Sequence, residues 1–317
     1  MKIRPGMQRT DAIAHPRLRG AASAWTRPPG DKPAARVRPM GDAAVFACAG
    51  MENTTQRHAA TILCTTGETP LRVECEDQTF QAHVFAIKPM VLKTIRAMDQ
   101  PVVLIDMEPS HPQYRYFHGG PSVQALAMKR CPALLAMAAG FEAGALCGAE
   151  LDRQARKAID EVAKQFPEPP PVDRRVIQLM YMLSESPGAS LDTLAATLGM
   201  SAHHASRLFS GALGIPTRRY LLSCKIRAAT SFLGSGRPLT EIAVASGFVD
   251  SAHFSKVWTQ NYGSPPSQFY SDGQTQVDTV ELPDWLEWYL AHRDANLPRA
   301  QTDPSTPWLY RPAANRS

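Results

Sequence analysis

The chain has 317 residues, 44% of them hydrophobic and 20% charged, with a formal net charge of +5. That length suffices for two domains of ordinary size plus tails, and no apolar run approaches the roughly 18 residues of a membrane span. The N-terminus lacks the apolar centre of a secretory signal. Six cysteines with no CxxC pair fit a reducing cytoplasm rather than a disulfide framework.

Charge is unevenly spread. Residues 1–41 hold nine Lys/Arg against two Asp/Glu, and residues 42–172 hold twelve against fifteen. Residues 173–270 return to nine against five, and residues 271–317 hold four against seven. A basic segment inside a mildly acidic chain suggests an acidic partner, nucleic acid first.

In chain order, residues 1–41 are rich in Arg, Ala and Pro and read as a disordered basic arm. Short β-rich runs follow between 58 and 108: ATILCTT, LRVEC, FQAHVFAI and VVLIDM, separated by turn formers. Leu71, Val73 and Cys75 alternate with Arg72 and Glu74, so one face of that strand is buried. Strands at this spacing predict a small barrel or sandwich. From 121 to 166 the pattern reads as helical, including SVQALAMKR. Leu151, Ala155, Ile159, Val162 and Phe166 form one apolar stripe. PEPPPV, residues 167–172, is a stiff proline-rich linker. The expected division is therefore an arm at 1–41, a β domain with helices at 42–166, the linker, a helical domain at 173–272, and a tail at 273–317. Within the tail, DWLEWYL at 284–290 is expected to fold back as a short helix or meet a partner, and 304–317 to fray.

The helical domain carries an internal repeat. Leu191, Ala195 and Gly199 match Leu239, Ala243 and Gly247 at an offset of 48; Ser206, Arg207, Phe209 and Gly214 match Ser255, Lys256, Trp258 and Gly263 at 49. Each unit reads as a helix, a glycine turn and a second helix, the order of a helix-turn-helix. Gly199 suits the left-handed residue that ends a helix, and Ser201 and Asp250 or Ser251 suit the N-caps that start the next.

The second helix of each unit has two faces. In the first, Ala205, Leu208, Phe209 and Ala212 point inward and His203, Ser206, Arg207 and Ser210 outward. In the second, Phe254, Val257 and Trp258 point inward, while Ala252, Ser255, Lys256 and Thr259 point outward with Ser251 at the leading end. Small polar residues with one cation suit a helix in a DNA major groove, where Arg reads a guanine edge and small residues permit close approach. Adjacent helical positions point about 100° apart, so His203 and His204 cannot chelate together, and His204 is expected to pack or touch a phosphate. The 215–233 segment reads as one long helix spanning about 27 Å. Arg218, Arg219, Lys225 and Arg227 on it are candidates for phosphate contacts.

The doubled unit, GFVDSAHFSKVW and the closing YGSPPSQF resemble the AraC/XylS-type transcriptional regulators. The resemblance covers residues 173–270. It implies an α+β multidomain protein: a small cupin-like β-barrel with trailing helices, then an all-α double helix-turn-helix domain. It implies His203, Ser206 and Arg207 as base-facing residues of the first reader, and Ser251, Ala252, Ser255 and Lys256 of the second. Ala252 cannot hydrogen-bond through its side chain and Lys256 stands where Arg is usual, which weakens base reading there. RHAATILCTTGETPLRV and VVLIDMEP resemble the cupin-like sensor more loosely. His58, Glu68 and His83 do not complete a metal-binding cupin set, so no metal, no cofactor and no catalysis are expected.

The function implied is a DNA-binding transcriptional regulator controlled by a small-molecule effector in the N-terminal domain. Promoter DNA is the expected partner, with a homodimer and, for an activator, RNA polymerase beside it. Two alternatives stay open: control by protein contact or by oxidation among Cys48, Cys64 and Cys75, and a metal-dependent cupin enzyme fused to a DNA-binding domain.

Overall fold

The computed structural model describes residues 24–25, 35–98, 100–185, 190–270 and 275–278. Most of the arm expected at 1–41 and most of the 273–317 tail, DWLEWYL included, lie outside the described residues.

Among the described residues twelve strands form two sheets. They are β1 (Ala24–Trp25), β2 (Ala35–Pro39), β3 (Ala43–Cys48), β4 (Met51–Gln56), β5 (Ala60–Cys64), β6 (Leu71–Cys75), β7 (Gln78–Ala82), β8 (Val84–Ile87), β9 (Leu92–Ala97), β10 (Val102–Met107), β11 (Val123–Leu126) and, from beyond the helical region, β12 (Thr275–Val277). One sheet has the order β1-β4-β9-β6-β7 and the other β11-β8-β5-β10-β3-β2-β12. All pairs are antiparallel except β12 with β2, which is parallel. The β6–β7 hairpin turns on Glu76 and Asp77, both at positive φ, as a two-residue loop matched to strand twist requires.

Strand alternation builds two cores. Leu63, Phe85, Leu104, Phe46 and Val37 point between the sheets to meet Leu71, Val73, Ile95 and Met51. The other face of the seven-stranded sheet, with Val45, Ile62, Val103 and Ile105, is covered by helices α1 (Pro132–Glu142) and α2 (Gly148–Ala163) through Leu134, Phe141, Ile159 and Val162. Both faces of β10 are therefore covered, and all six of its residues are buried.

The helical region comprises α3 (Arg174–Glu185), α4 (Leu191–Thr197), α5 (Ala202–Leu213), α6 (Thr217–Thr230), α7 (Leu239–Ala245), α8 (Ser251–Tyr262) and α9 (Pro266–Tyr270). The first unit has its own core of Val176, Leu179, Leu194, Ala205, Phe209 and Tyr220. The second has not. Phe254, Trp258, Tyr262 and Phe269 join Phe46, Met51 and Leu104 in the inter-sheet core.

Four sequence expectations change. Ala35–Pro39 is sheet, not disordered arm: Arg36 donates to the Phe141 carbonyl at 2.6 Å, and Arg38 makes a two-point bond to Asp152 at 2.8 and 2.7 Å. Thr275–Val277, expected in the tail, is also sheet. The middle of SVQALAMKR is β11, because Val123 and Leu126 can complete the sheet beside β8. The connecting helix is 14 residues long rather than spanning 215–233. Pro216 precedes its first turn, and the chain leaves it through turns ending at Gly234, φ +78.

Candidate nucleic-acid interface

Each reading helix is set by the same local devices. Gly199 and Gly247 take φ +66° and +79°, which turn the chain out of α4 and α7. The Ser201 hydroxyl then accepts from the His204 N–H at 3.3 Å, and the Asp250 carboxylate accepts from the His253 N–H at 2.6 Å. Such caps satisfy amide donors that have no partner within the helix.

The helices bury Ala205, Phe209 and Leu213 on α5, and Phe254, Val257 and Trp258 on α8. On the opposite face His203 and Arg207 are exposed, with Ser206 and Ser210 half-buried beside them. On α8 Ala252 and Lys256 are exposed, with Ser251 and Ser255 half-buried. Among the described residues neither Arg207 nor Lys256 has an ion-pair partner, so both cations are presented to solvent. The Thr259 hydroxyl turns back to the Ser255 carbonyl at 2.7 Å.

The cations of α6 divide. Arg218 is exposed and Arg219 is half-buried, close enough to His58 to help burial hold that imidazole down at about 4. Lys225 stands over the Phe248 ring at 5.9 Å. Arg227 does not fit a phosphate contact: it points into the β domain and donates to Ser110 Oγ at 2.7 Å, near Glu108. His204, expected to pack or to touch a phosphate, is exposed and so does not pack, and His253 is exposed too, its ring meeting Phe248 edge-on at 5.5 Å. Gln260 is a further exposed polar residue of α8 that the stripe spacing did not single out.

Behind α8 lies the junction with the β domain. A cavity of about 20 Å³ lies among Phe46, Met51, Arg57, Leu104, Tyr262 and Phe269, space for roughly one water. Among the described residues no three His, Cys, Asp or Glu side chains gather as a metal site. No described helix is long and apolar enough to cross a membrane.

A helix-turn-helix domain family matches residues 194–271, the stretch that holds both reading helices and the glycine turn before each. Residues 194–271 form an AraC-type helix-turn-helix domain. The chain is 24% identical over 151 residues to the regulatory protein ada of Salmonella typhimurium, covering 48% of this chain and 39% of that protein. It is 33% identical over 94 residues to the HTH-type transcriptional regulator GbdR of Pseudomonas aeruginosa, covering 29% of this chain and 25% of that one. The chain thus spans well under half the length of these two relatives. ToxT of Vibrio cholerae O395 is similar in structure with a TM-score of 0.48 at 12% identity, over 75% of this chain and 98% of ToxT.

Proposed function

We propose that the chain is a sequence-specific transcriptional regulator that acts by binding promoter DNA and not by catalysis. One observation carries this reading. Two capped helices of the AraC-type domain present solvent-facing stripes at matching positions, His203, Ser206 and Arg207 on α5 and Ala252, Ser255 and Lys256 on α8. Arg207 is assigned to a base edge and Arg218 and Arg219 to phosphates, with Ser210 and Ser251 at the margins. The β domain is assigned to effector sensing or dimer contacts in the cytoplasm, and RNA polymerase is a further contact if the protein activates.

Thiol control is the weaker alternative. Burial pushes the Cys48 and Cys64 thiols up to about 12, and the thiolate is the reactive form.

Selection of duplexes from a random library by the full-length chain tests the proposal. The expected product is two short enriched base clusters about one helical turn apart. Retention of no sequence above background would overturn it.

A further inference from the structure

The two reading helices end in the same way. Gly214 follows α5 at φ +70° and Gly263 follows α8 at φ +80°. Their N–H groups close on the carbonyls of Ser210 at 2.8 Å and Thr259 at 2.7 Å. The last carbonyls of a helix have no partner within it, and they carry the negative end of its dipole.

At both ends the β domain supplies the missing donor. Arg115 Nε donates to the Ala212 carbonyl at 2.9 Å, and Asn53 Nδ2 donates to the Tyr262 carbonyl at 3.1 Å. The fit is close as well as polar. A Cβ on Gly214 would overlap the His118 imidazole, and one on Gly263 would come within 3.1 Å of both Asn53 Cγ and Thr55 Cγ2. The His58 N–H adds a bond to Asn261 Oδ1 at 3.3 Å. Asn53 lies on β4 and Arg115 and His118 lie on the turn after β10, so one domain contacts two helices at their C-terminal ends.

We propose that the β domain is the ruler of the DNA reader: Arg115 with His118, and Asn53, are positioning residues that fix the distance and angle between α5 and α8. The connecting helix α6 cannot do this alone. It meets α5 through a three-residue joint, Gly214, Ile215 and Pro216, and meets α7 through turns at Gly234 and Gly236. The bonds to Ala212 and Tyr262 act beyond those joints, on the reading helices themselves. The inference rests on the DNA-reading assignment above.

The test uses the full-length chain and a duplex it selects from a random library, remade with base pairs added or removed between the two enriched clusters. Each added pair shifts the second cluster by about 3.4 Å and rotates it by about 35°. The wild-type chain should prefer one spacing by about tenfold or more, a difference of about 1.4 kcal/mol. Arg115→Ala with His118→Ala, and separately Asn53→Ala, should flatten that preference while keeping affinity for each cluster alone.

Unchanged spacing preference in folded variants would overturn the proposal. So would tighter binding at every spacing by one common factor, which would mark the contacts as a restraint on binding and not a ruler. Failure of the wild-type chain to select any sequence would instead overturn the DNA-reading assignment. Thermal melts establish folding first. Should buried Asn53→Ala not fold, the half-buried Arg115 and His118 pair decides the matter alone.

Discussion

Arg57 and Asp106 form an ion pair inside the β domain, with side chains only 4% and 6% exposed. The other Asp106 oxygen accepts from the Thr61 hydroxyl at 2.6 Å, and the guanidinium stands 5.5 Å from the Tyr262 ring of α8. Removing one partner strands the other charge out of water. Asp106→Ala should therefore destabilise the fold by about 3–5 kcal/mol, while Arg57→Met with Asp106→Leu should come close to neutral. Urea denaturation of the two variants checks this. Equal losses in both would mean that the pair contributes net stability.

The same region predicts a stability curve with opposed limbs. Burial pushes Glu108 up to about 7 from 4.5, against the pull of Arg227. The folded chain then holds a proton that the unfolded chain has lost, so this group's contribution declines as pH rises from 4.5 to 7. Burial, helped by the Arg57 charge, pushes Lys93 down to about 7 from 10.5. There the unfolded chain holds the extra proton, so stability rises from pH 7 to 10.5. His58, held near 4 by burial and then by Arg219, adds a rise between 4 and 6.5 that partly offsets Glu108. Glu108→Gln should remove the falling limb and Lys93→Met the rising one. Denaturation midpoints across pH read both, and slopes unchanged from wild type would contradict the assignments.

On DNA, Arg207 and Lys256 should behave differently although they occupy matching positions. Arg207→Ala should cost about 1–3 kcal/mol on the selected site and relax one base position. Lys256→Ala should weaken all sequences more evenly and lower the salt slope by about one. Gel shifts at several salt concentrations, with single-base variants of the site, separate the two patterns. A Lys256→Ala chain that loses one base preference would make the second helix a full base reader.

Two glycines in the same conformation should tolerate alanine unequally. Gly199, φ +66°, has open space where a Cβ would stand, whereas at Gly214, φ +70°, the His118 ring fills it. Gly199→Ala should cost about 1 kcal/mol from backbone strain alone. Gly214→Ala should cost more, and His118→Ala in the same chain should restore part of the difference. Calorimetry supplies the values; equal costs at the two sites would show that the ring moves aside freely.

The repeat was legible because its information is local. Periodicity, a glycine at each turn and a capping oxygen at each helix start all lie within a few residues of what they determine. The alternation of Leu71, Val73 and Cys75 is local in the same sense, and all three are buried as it implies. What was illegible is paired across long separations. The basic look of 1–41 suggested an arm, yet Arg36 and Arg38 are used by Phe141 and Asp152, more than a hundred residues away. MENTTQ of β4 has no apolar alternation, and its inward residues include Asn53 and Thr55. Asn53 meets Tyr262 across 209 residues, and nothing near either residue marks the pair. Arg227 shares a helix with Arg218 and Arg219, and only the fold places its charge inside.

The parallel pairing of β12 with β2 has a consequence for the order of synthesis. The last strand of the seven-stranded sheet is encoded after both reading helices, and Asp278 beyond it accepts from the Gly148 N–H at the start of α2 at 2.9 Å. The helical region is thus a loop of the β domain, closed at its far end by hydrogen bonds. As the chain leaves the ribosome, the β12 partner of β2 is missing until residue 277 arrives, so that edge is paired only in chains that already carry the complete helical region.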